Sequence, residues 1–406
     1  MSIVLKTRRT FSTFISSFEV IQTLPLVVRR PHLTPQQRSR AKRLLHRSAR
    51  KLGIMDEVIK QQISIIQKKI KTEMPWEQDE TFAQPFHSYD PSTSQWFAHT
   101  STAHHLPTSA EITHLELFSW NIDFMLPFSD SRMTAALAHL SNLLTNLPGT
   151  TAPVIFLQEC TPSDLRLLAS TPWIQQHFAV TDLDNSMWAN AHYGTTTLVS
   201  RKCPVQQVFR VHFSATNQER DGLFTDLLLN DHRLFRLCNT HLESLALKPP
   251  LRPKQLEIIA THLHSPSIPF ALVAGDFNAI EPFDRGLHTT TNLTDAYLSL
   301  GGQEDTPEGY TWGQQAATHL REQFGCSRMD KIFFRGKGAS CVEFERFGKD
   351  VEVQDDGEKG SIVGLGFERA WVTDHLGVRG SFELTAAVKE DGEEEGEGTE
   401  AGKGKL

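Results

Sequence analysis

The fold class this chain predicts is a four-layer α-β-β-α sandwich: two packed mixed sheets with helices covering both outer faces. Three observations lead there. From about Leu115 onward, apolar runs of strand length alternate with amphipathic runs of helix length, the rhythm of a layered α/β domain. Pairs of β runs joined by short polar turns interrupt that alternation, which argues for mixed rather than purely parallel sheets. The 406 residues are 39% hydrophobic and include 25 Phe and 7 Trp, enough to fill a sizeable core.

Each element has its own signature. Residues 52–72 read as a helix, and residues 73–110, rich in Pro, Ser, Thr and His, as an extended linker into the main domain at 111–388. "LELFSWNI" is a strand. "SRMTAALAHLSNLLTNL" spaces Met133, Leu137, Leu140, Leu144 and Leu147 by fours and threes, which gives a helix with one apolar face. "PVIFLQE" is an uninterrupted buried strand, and in "TPSDLRLL" Thr161 as N-cap, Pro162 at N1 and Asp164 at N3 announce a helix. "GLFTDLLLNDHRLFRLCNTHL" reads as a hairpin turning at Asn230, Asp231 and His232. "RPKQLEIIATHLHS" is a helix with Leu256, Ile259, Ala260 and Leu263 inward. "PFALVAGDFN" and "MDKIFFRG" are strands, residues 348–361 a polar insertion, and "LGVRGSFEL" the closing strand. No internal repeat is visible.

Charge divides the chain into three regions. Residues 1–51 carry twelve Lys/Arg and one acid, Glu19, and the first eighteen residues have the Arg/Ser/Phe composition of a mitochondrial transit segment. The following block "RSRAKRLLHRSARK" suits nuclear import or a solvated helix face equally well. Residues 389–406 are an acidic, Gly-rich tail with too little apolar surface to order itself. Between them, residues 52–388 hold 40 acids against 26 bases. Such a core does not grip a polyanion through bulk charge; it needs a local basic patch or metal ions. No apolar run is long enough to span a bilayer, and the five scattered cysteines form neither a C-x-x-C pair nor a disulfide framework.

Polar residues recur where the strands end. Asn121 closes the first, Glu159 the second, Asn239 and His241 the fourth, and Asp276 and Asn278 the fifth, while Asp374 and His375 precede the last. Singly, each has a structural explanation: Glu159 as an acid near a helix N-terminus, Asn121 and Asn278 as turn residues, His241 and His375 as satisfied core imidazoles. In register they read as one site, because layered α/β domains assemble sites where strand ends converge. The period-two pairs Asn239/His241 and Asp276/Asn278 each project to one face of their strand.

"SWNI", "LQE", "NTHLES", "GDFN", "RMDKIFF" and "TDH", in that order, resemble the endonuclease/exonuclease/phosphatase superfamily of metal-dependent phosphodiesterases over roughly Leu115 to Leu384. "SWNID", "HLES" followed by "KQLEII", and "DAYLSLG", "YTWG" and "MDKIFFRGKG" resemble its 5′-tyrosyl-DNA phosphodiesterase branch. The resemblance implies Mg²⁺ (or Mn²⁺) held by Glu159, with Asn121 beside it and Asp374 in the outer metal shell. It implies Asp276 orienting and deprotonating water, Asn278 holding a phosphate oxygen or the nucleophile, and His241 and His375 donating to the phosphoryl oxygens, with Asp330 fixing His375. The implied partner is nucleic acid, DNA 5′ ends carrying tyrosine. Asn239, Arg220, Tyr310 and Trp312 are candidate substrate contacts, the aromatics as stacking faces; Arg220, Arg328 and Lys331 are candidate local positive charge.

The sequence departs from the branch at Phe277, where relatives have a small polar residue, and in the "AIEPFDRG" that follows; both bear on substrate choice. Relatives that cut abasic DNA, RNA 3′ ends or phosphoinositides share the core motifs, and a non-catalytic scaffold is the non-enzymatic alternative. The two-metal metallophosphatases need a "GNH" element that is absent.

Overall fold

The computed structural model describes residues 74–101, 112–229 and 233–385. The basic arm, the helix expected over residues 52–72, the turn at 230–232 and the acidic tail lie outside the described residues. Three short strands come first: Thr81–Gln84 (β1), Phe86–Asp90 (β2) and Gln95–His99 (β3). His114–Asn121 (β4), Ser129–Thr145 (α1) and Thr151–Cys160 (β5) then form a strand–helix–strand unit. Pro162–Ser170 (α2), Pro172–His177 (α3), Phe178–Val180 (β6), Gly194–Ser200 (β7), Val205–His212 (β8) and Asp221–Leu228 (β9) follow. A second strand–helix–strand unit comprises Leu234–His241 (β10), Arg252–Leu263 (α4) and Phe270–Asp276 (β11). The remainder is Leu287–Thr290 (α5), Thr294–Asp295 (β12), Ala296–Ser299 (α6), Thr318–Phe324 (α7), Asp330–Gly336 (β13), Ala339–Phe347 (β14), Asp356–Gly364 (α8) and Gly377–Leu384 (β15).

One sheet runs β1-β8-β9-β10-β11-β13-β12, the other β14-β15-β4-β5-β7-β6-β2-β3. Each holds a single parallel pair, β10–β11 and β4–β5, and is otherwise antiparallel. Both are mixed, as the hairpins require. The two parallel pairs face each other across the core.

Period-two alternation builds the layers. Leu115, Leu117, Val154, Phe156, Leu272 and Ala274 meet between the sheets. Phe118, Trp120, Ile155 and Leu157, on the opposite faces of the same strands, pack under Met133, Leu137 and Leu140 of α1 and Leu165 and Leu168 of α2. On the other outer side Ala271, Val273 and Cys238 pack under Leu256, Ile259 and Leu263 of α4. The Thr161 cap forms as the sequence indicates, its hydroxyl accepting from Asp164 N while the Asp164 carboxylate accepts from Thr161 N, an arrangement worth about 1 kcal/mol.

One expectation fails here. The segment read as linker supplies β1, β2 and β3, which pair with β8, β6 and each other. Phe86 is buried in the inter-sheet core, and the Gln84 carbonyl accepts from the fully buried Arg210 guanidinium at 2.8 Å. β1 and β3 are edge strands and β2 lies next to an edge, with side chains mostly exposed or half-buried, so they lack the apolar alternation that marks a strand in sequence. The polar insertion at 348–361 also contributes to the core: its Val353 is buried with Ile362, just past its end, and Trp371 in a satellite cluster.

Candidate active site

The inward faces that carry Leu115 and Leu117, or Leu272 and Ala274, carry Asn121 and Asp276 at the strand ends. In β10–β11 His241 lies opposite Asp276, and in β11–β13 Asp276 lies opposite Asp330. Three neighbouring strands therefore present His241, Asp276 and Asp330 side by side, and β4–β5 brings Asn121 and Glu159 against them from the other sheet. Gly275 makes the close register possible: at φ +146 a Cβ there would lie 1.8 Å from Thr240 O.

Asn121 Nδ2 donates to Asp276 Oδ2 at 3.0 Å and to Glu159 Oε1 at 3.3 Å, tying the two carboxylates together. Glu159 sits in the left-handed region at φ 58, where the β5 ladder breaks, and its second oxygen accepts from Phe124 N at 2.9 Å. Asn278, at φ 48, donates its backbone N–H to Asp276 Oδ1 at 2.7 Å and its amide to Leu242 O at 3.0 Å.

The two histidines are in opposite states. Arg220 Nη1 lies 2.6 Å from His241 Nδ1. A guanidinium only donates, so Nδ1 is the acceptor and Nε2 carries the proton. That N–H faces Asp276 Oδ2 at 3.3 Å and Glu159 Oε1 at 3.7 Å. Burial, and then the Arg220 charge, hold the His241 pKa below its ordinary value, so the ring is neutral. His375 Nδ1 donates to Asp330 Oδ2 at 2.8 Å, and its Nε2 points toward Asp276 Oδ2 at 3.8 Å and Asp374 Oδ1 at 3.9 Å. Burial opposes its charge, but Asp330 and then Asp276 outweigh it and keep the imidazole protonated well above its usual range. Burial alone would raise Asp276; His375, the hydrogen bond from His241 and the Asn278 amide hold it well below the usual carboxylate range.

Asp374 accepts from the Trp312 indole at 2.7 Å, and its pKa is raised, by burial first. Beside it stands Asp123, pushed up to about 6 by burial and then by the Asp374 charge. Beneath both loops, buried Arg132 donates to Ile122 O at 2.5 Å, Val372 O at 2.7 Å and Asp123 O at 2.7 Å, joining the segment after β4 to the one before β15. Asp123 stands two residues beyond Asn121, a spacing visible in "SWNID"; nothing in the sequence marks Arg132.

Trp312 is half-buried and joins the cluster through Asp374. Tyr310 is half-buried with its hydroxyl donating to Asp305 O at 2.8 Å. Three expectations are corrected. Asn239 has no exposed surface: it accepts from Gln158 at 2.8 Å and donates to Thr196 O at 2.9 Å, filling the space between the sheets below the site. Arg328 and Lys331 are buried, Arg328 paired with Asp295 and Glu304 and Lys331 with Glu304, so neither offers charge to a ligand. Phe277 turns outward and packs edge-on against Phe333 at 4.8 Å, away from the site.

A small cleft with about 20 Å³ of free volume, room for a single water, lies beside His241, lined by Trp188, Tyr193, Glu219 and Arg220 among others. Tyr193 stacks on Phe124 at 4.0 Å, and the Arg220 guanidinium lies over the Tyr193 ring at 5.4 Å. No motif along the chain marks this cleft.

Fold and cluster together define a sandwich-fold hydrolase of the nuclease and phosphatase type. The chain belongs to the endonuclease/exonuclease/phosphatase family, which it matches over residues 118–375. Among solved structures, it is similar to humanized D. rerio TDP2 with 14 mutations, at 20% identity over 67% of this chain and 99% of that one, with a TM-score of 0.52. D. rerio TDP2 complexed with single strand DNA product gives the same four values. Truncated Caenorhabditis elegans TDP2 is 21% identical over 67% of this chain and 98% of that one, with a TM-score of 0.49. No curated protein matches.

Proposed function

We propose that this chain is a divalent-metal-dependent phosphodiesterase that hydrolyses the phosphotyrosyl bond at DNA 5′ ends, releasing tyrosine and leaving a 5′-phosphate. The observation that carries the hydrolytic part is the convergence of Glu159, Asn121, Asp276, His241 and the His375–Asp330 pair at one end of the two sheets.

The donor set fits a hard cation. Carboxylate oxygens of Glu159 and Asp276 lie within 4.8 Å of each other with the Asn121 amide bridging them, and the charges of Asp123, Asp374 and Glu159 raise one another's cost nearby, a repulsion that a divalent ion relieves. His241 Nε2 and His375 both carry protons toward the cluster, so neither is a ligand. Glu159 would hold Mg²⁺ or Mn²⁺, with Asn121 and Asp374 beside it, and the ion would supply Lewis acidity and charge neutralisation.

The chain's own residues supply the remaining steps. Ionised Asp276 orients a water and accepts its proton as the water oxygen bonds to phosphorus and the phosphorus–phenolate bond breaks. Protonated His375 and the His241 Nε2–H donate to the phosphoryl oxygens as charge accumulates there. Asp330 keeps His375 protonated, Arg220 keeps His241 in its tautomer, and Asn278 fixes the Asp276 carboxylate.

The tyrosyl substrate is supported by chemistry and by likeness. A phenol, with a pKa near 10, leaves without a dedicated general acid. The D. rerio structure of the same fold is a complex with single strand DNA product.

The test is a substrate panel with the purified protein: a 5′-tyrosyl oligonucleotide, abasic duplex, RNA with a free 3′ end and an inositol phosphate. The tyrosyl end should be cut fastest, with no turnover in EDTA and a loss of about a hundredfold or more in Glu159→Gln. Full activity in EDTA would overturn the mechanism; faster cleavage of abasic DNA would overturn the substrate.

A further inference from the structure

The β4–β15 ladder ends at Ser119 and Val378. Past it, no strand pairing among the described residues holds the segment of Asn121 and Asp123 to the segment of Asp374 and His375, so the join falls to side chains. The Thr373 hydroxyl crosses it to Asn121 O at 2.9 Å, and the Trp120 indole to His375 O at 3.1 Å. Arg132 crosses it on a single nitrogen: Nη1 donates to Ile122 O and to Val372 O, one carbonyl from each segment.

The rest of the guanidinium shapes the first segment. Nε donates to Pro127 O at 2.9 Å, and Nη2 to Asp123 O at 2.7 Å and Leu126 O at 2.9 Å. The chain thus wraps round the fork, with Asp123 and Phe128 in the left-handed region at φ 56 and φ 63, a conformation that persists where the surroundings impose it. On the other side of the same turn the Phe124 N–H donates to Glu159. Arg132 is 1% exposed and stands in the first turn of α1, which Met133, Leu137 and Leu140 anchor to the sheet. All five of its N–H groups end on backbone carbonyls and none on a carboxylate. A buried cation without an ion-pair partner is a costly way to fill space under a helix, so its use here is geometric.

We infer that Arg132 is a positioning residue for the divalent ion: by holding a carbonyl of each segment on one nitrogen, it sets the separation between the Asn121–Glu159 side of the site and Asp374, and with it the affinity for the metal. The inference rests on the proposed metal-dependent reaction and adds to it a residue, outside the donor set, that tunes the ion. The charge of Arg132 repels a cation, so any gain in binding that it provides comes from position. Arg132→Lys isolates that gain, because it keeps the charge and replaces a planar fork of five donors by three donors on one nitrogen.

The test is Mn²⁺ binding to the full-length protein without substrate, read by electron paramagnetic resonance, with near-ultraviolet circular dichroism and thermal melting on the same samples. Arg132→Lys should bind Mn²⁺ about tenfold to a hundredfold more weakly than wild type, the scale of a lost contact behind a metal ligand. Its cleavage of the 5′-tyrosyl oligonucleotide should return to within a few fold of wild type as Mg²⁺ is raised to saturation. Arg236→Lys is the control: this arginine is also buried, pairs with Asp226 and lies near the start of β10, away from His241 at its end. That variant should lose thermal stability and keep its Mn²⁺ affinity. Should Arg132→Lys not fold, Thr373→Val, which removes the hydroxyl joining the same two segments, takes its place and should weaken Mn²⁺ binding in the same direction. A folded Arg132→Lys with the Mn²⁺ affinity of wild type, or an unfolded one beside a Thr373→Val that binds as wild type does, overturns this inference alone. A wild type that binds no Mn²⁺ removes the proposed metal chemistry and this inference with it.

Discussion

His375 is protonated because of what surrounds it. Asp330 at 2.8 Å makes the largest favourable contribution, and the ring is useful as a donor only while it keeps that proton. The sign follows directly. Activity that depends on protonated His375 is fully present at low pH and is lost as pH rises through the raised pKa, so the basic limb of the kcat profile should lie well above pH 6.5. Asp330→Asn removes the chief raising interaction, so that limb should move to lower pH, with kcat at pH 8 falling by about tenfold to a hundredfold. Steady-state rates from pH 5 to 9 check this; a profile lowered uniformly at every pH would mean that Asp330 only supports the fold. Two hydroxyls hold the frame of the site: Ser119 accepts from Gln158 at 3.1 Å, and the Thr373 hydroxyl donates to Asn121 O at 2.9 Å.

The catalytic strands come as two parallel pairs, each with its crossover helix, and the hydrophobic periodicity of α1 and α4 was enough to anticipate both units. The first three strands were not anticipated, and they matter to stability. β1 and β2 bury Phe86 and present Gln84 to the otherwise enclosed Arg210. Removing residues 1–73 should leave turnover within a few fold, because the paired strands begin at Thr81. Removing residues 1–100 strips an accepted bond from a buried guanidinium and exposes the core behind Phe86, a loss of about 3 kcal/mol or more. Urea denaturation of the two truncated proteins distinguishes them; equal midpoints would show that β1–β3 are ornamental.

At the scale of the whole molecule, charge constrains how a polyanion is held. Residues 52–388 carry 40 acids against 26 bases, and two of the cations expected to face substrate, Arg328 and Lys331, are locked to Glu304. Few phosphates can therefore be neutralised by the core. For about two phosphates on a single strand, affinity should fall by less than about tenfold between 50 and 200 mM salt at fixed Mg²⁺. Fluorescence anisotropy with a 5′-tyrosyl oligonucleotide and the protein lacking residues 1–73 measures the slope. A fall of a thousandfold would reveal an extended basic surface that this arrangement does not provide.

Periodicity and strand-end chemistry are local properties, and from them alone the sequence determined the four layers, the helix caps and most of the residues that meet at the site. Asn121, Glu159, His241, Asp276, Asn278, Asp374 and His375 were legible because each sits where an apolar run stops, a place with little packing reason for a polar side chain. Tertiary structure decided what one strand cannot encode. The proton on His241 depends on Arg220 from β9's approach, the charge on His375 on Asp330 from β13, and the burial of Arg328 and Lys331 on acids at Asp295 and Glu304. Asn239 follows the same period as His241 but is covered by the opposite sheet, so its distance from the open end, and not its spacing, makes it structural. The cleft beside His241 exists only once β7 of one sheet packs against β9 and β10 of the other, because a cavity belongs to the space between elements and has no period along the chain.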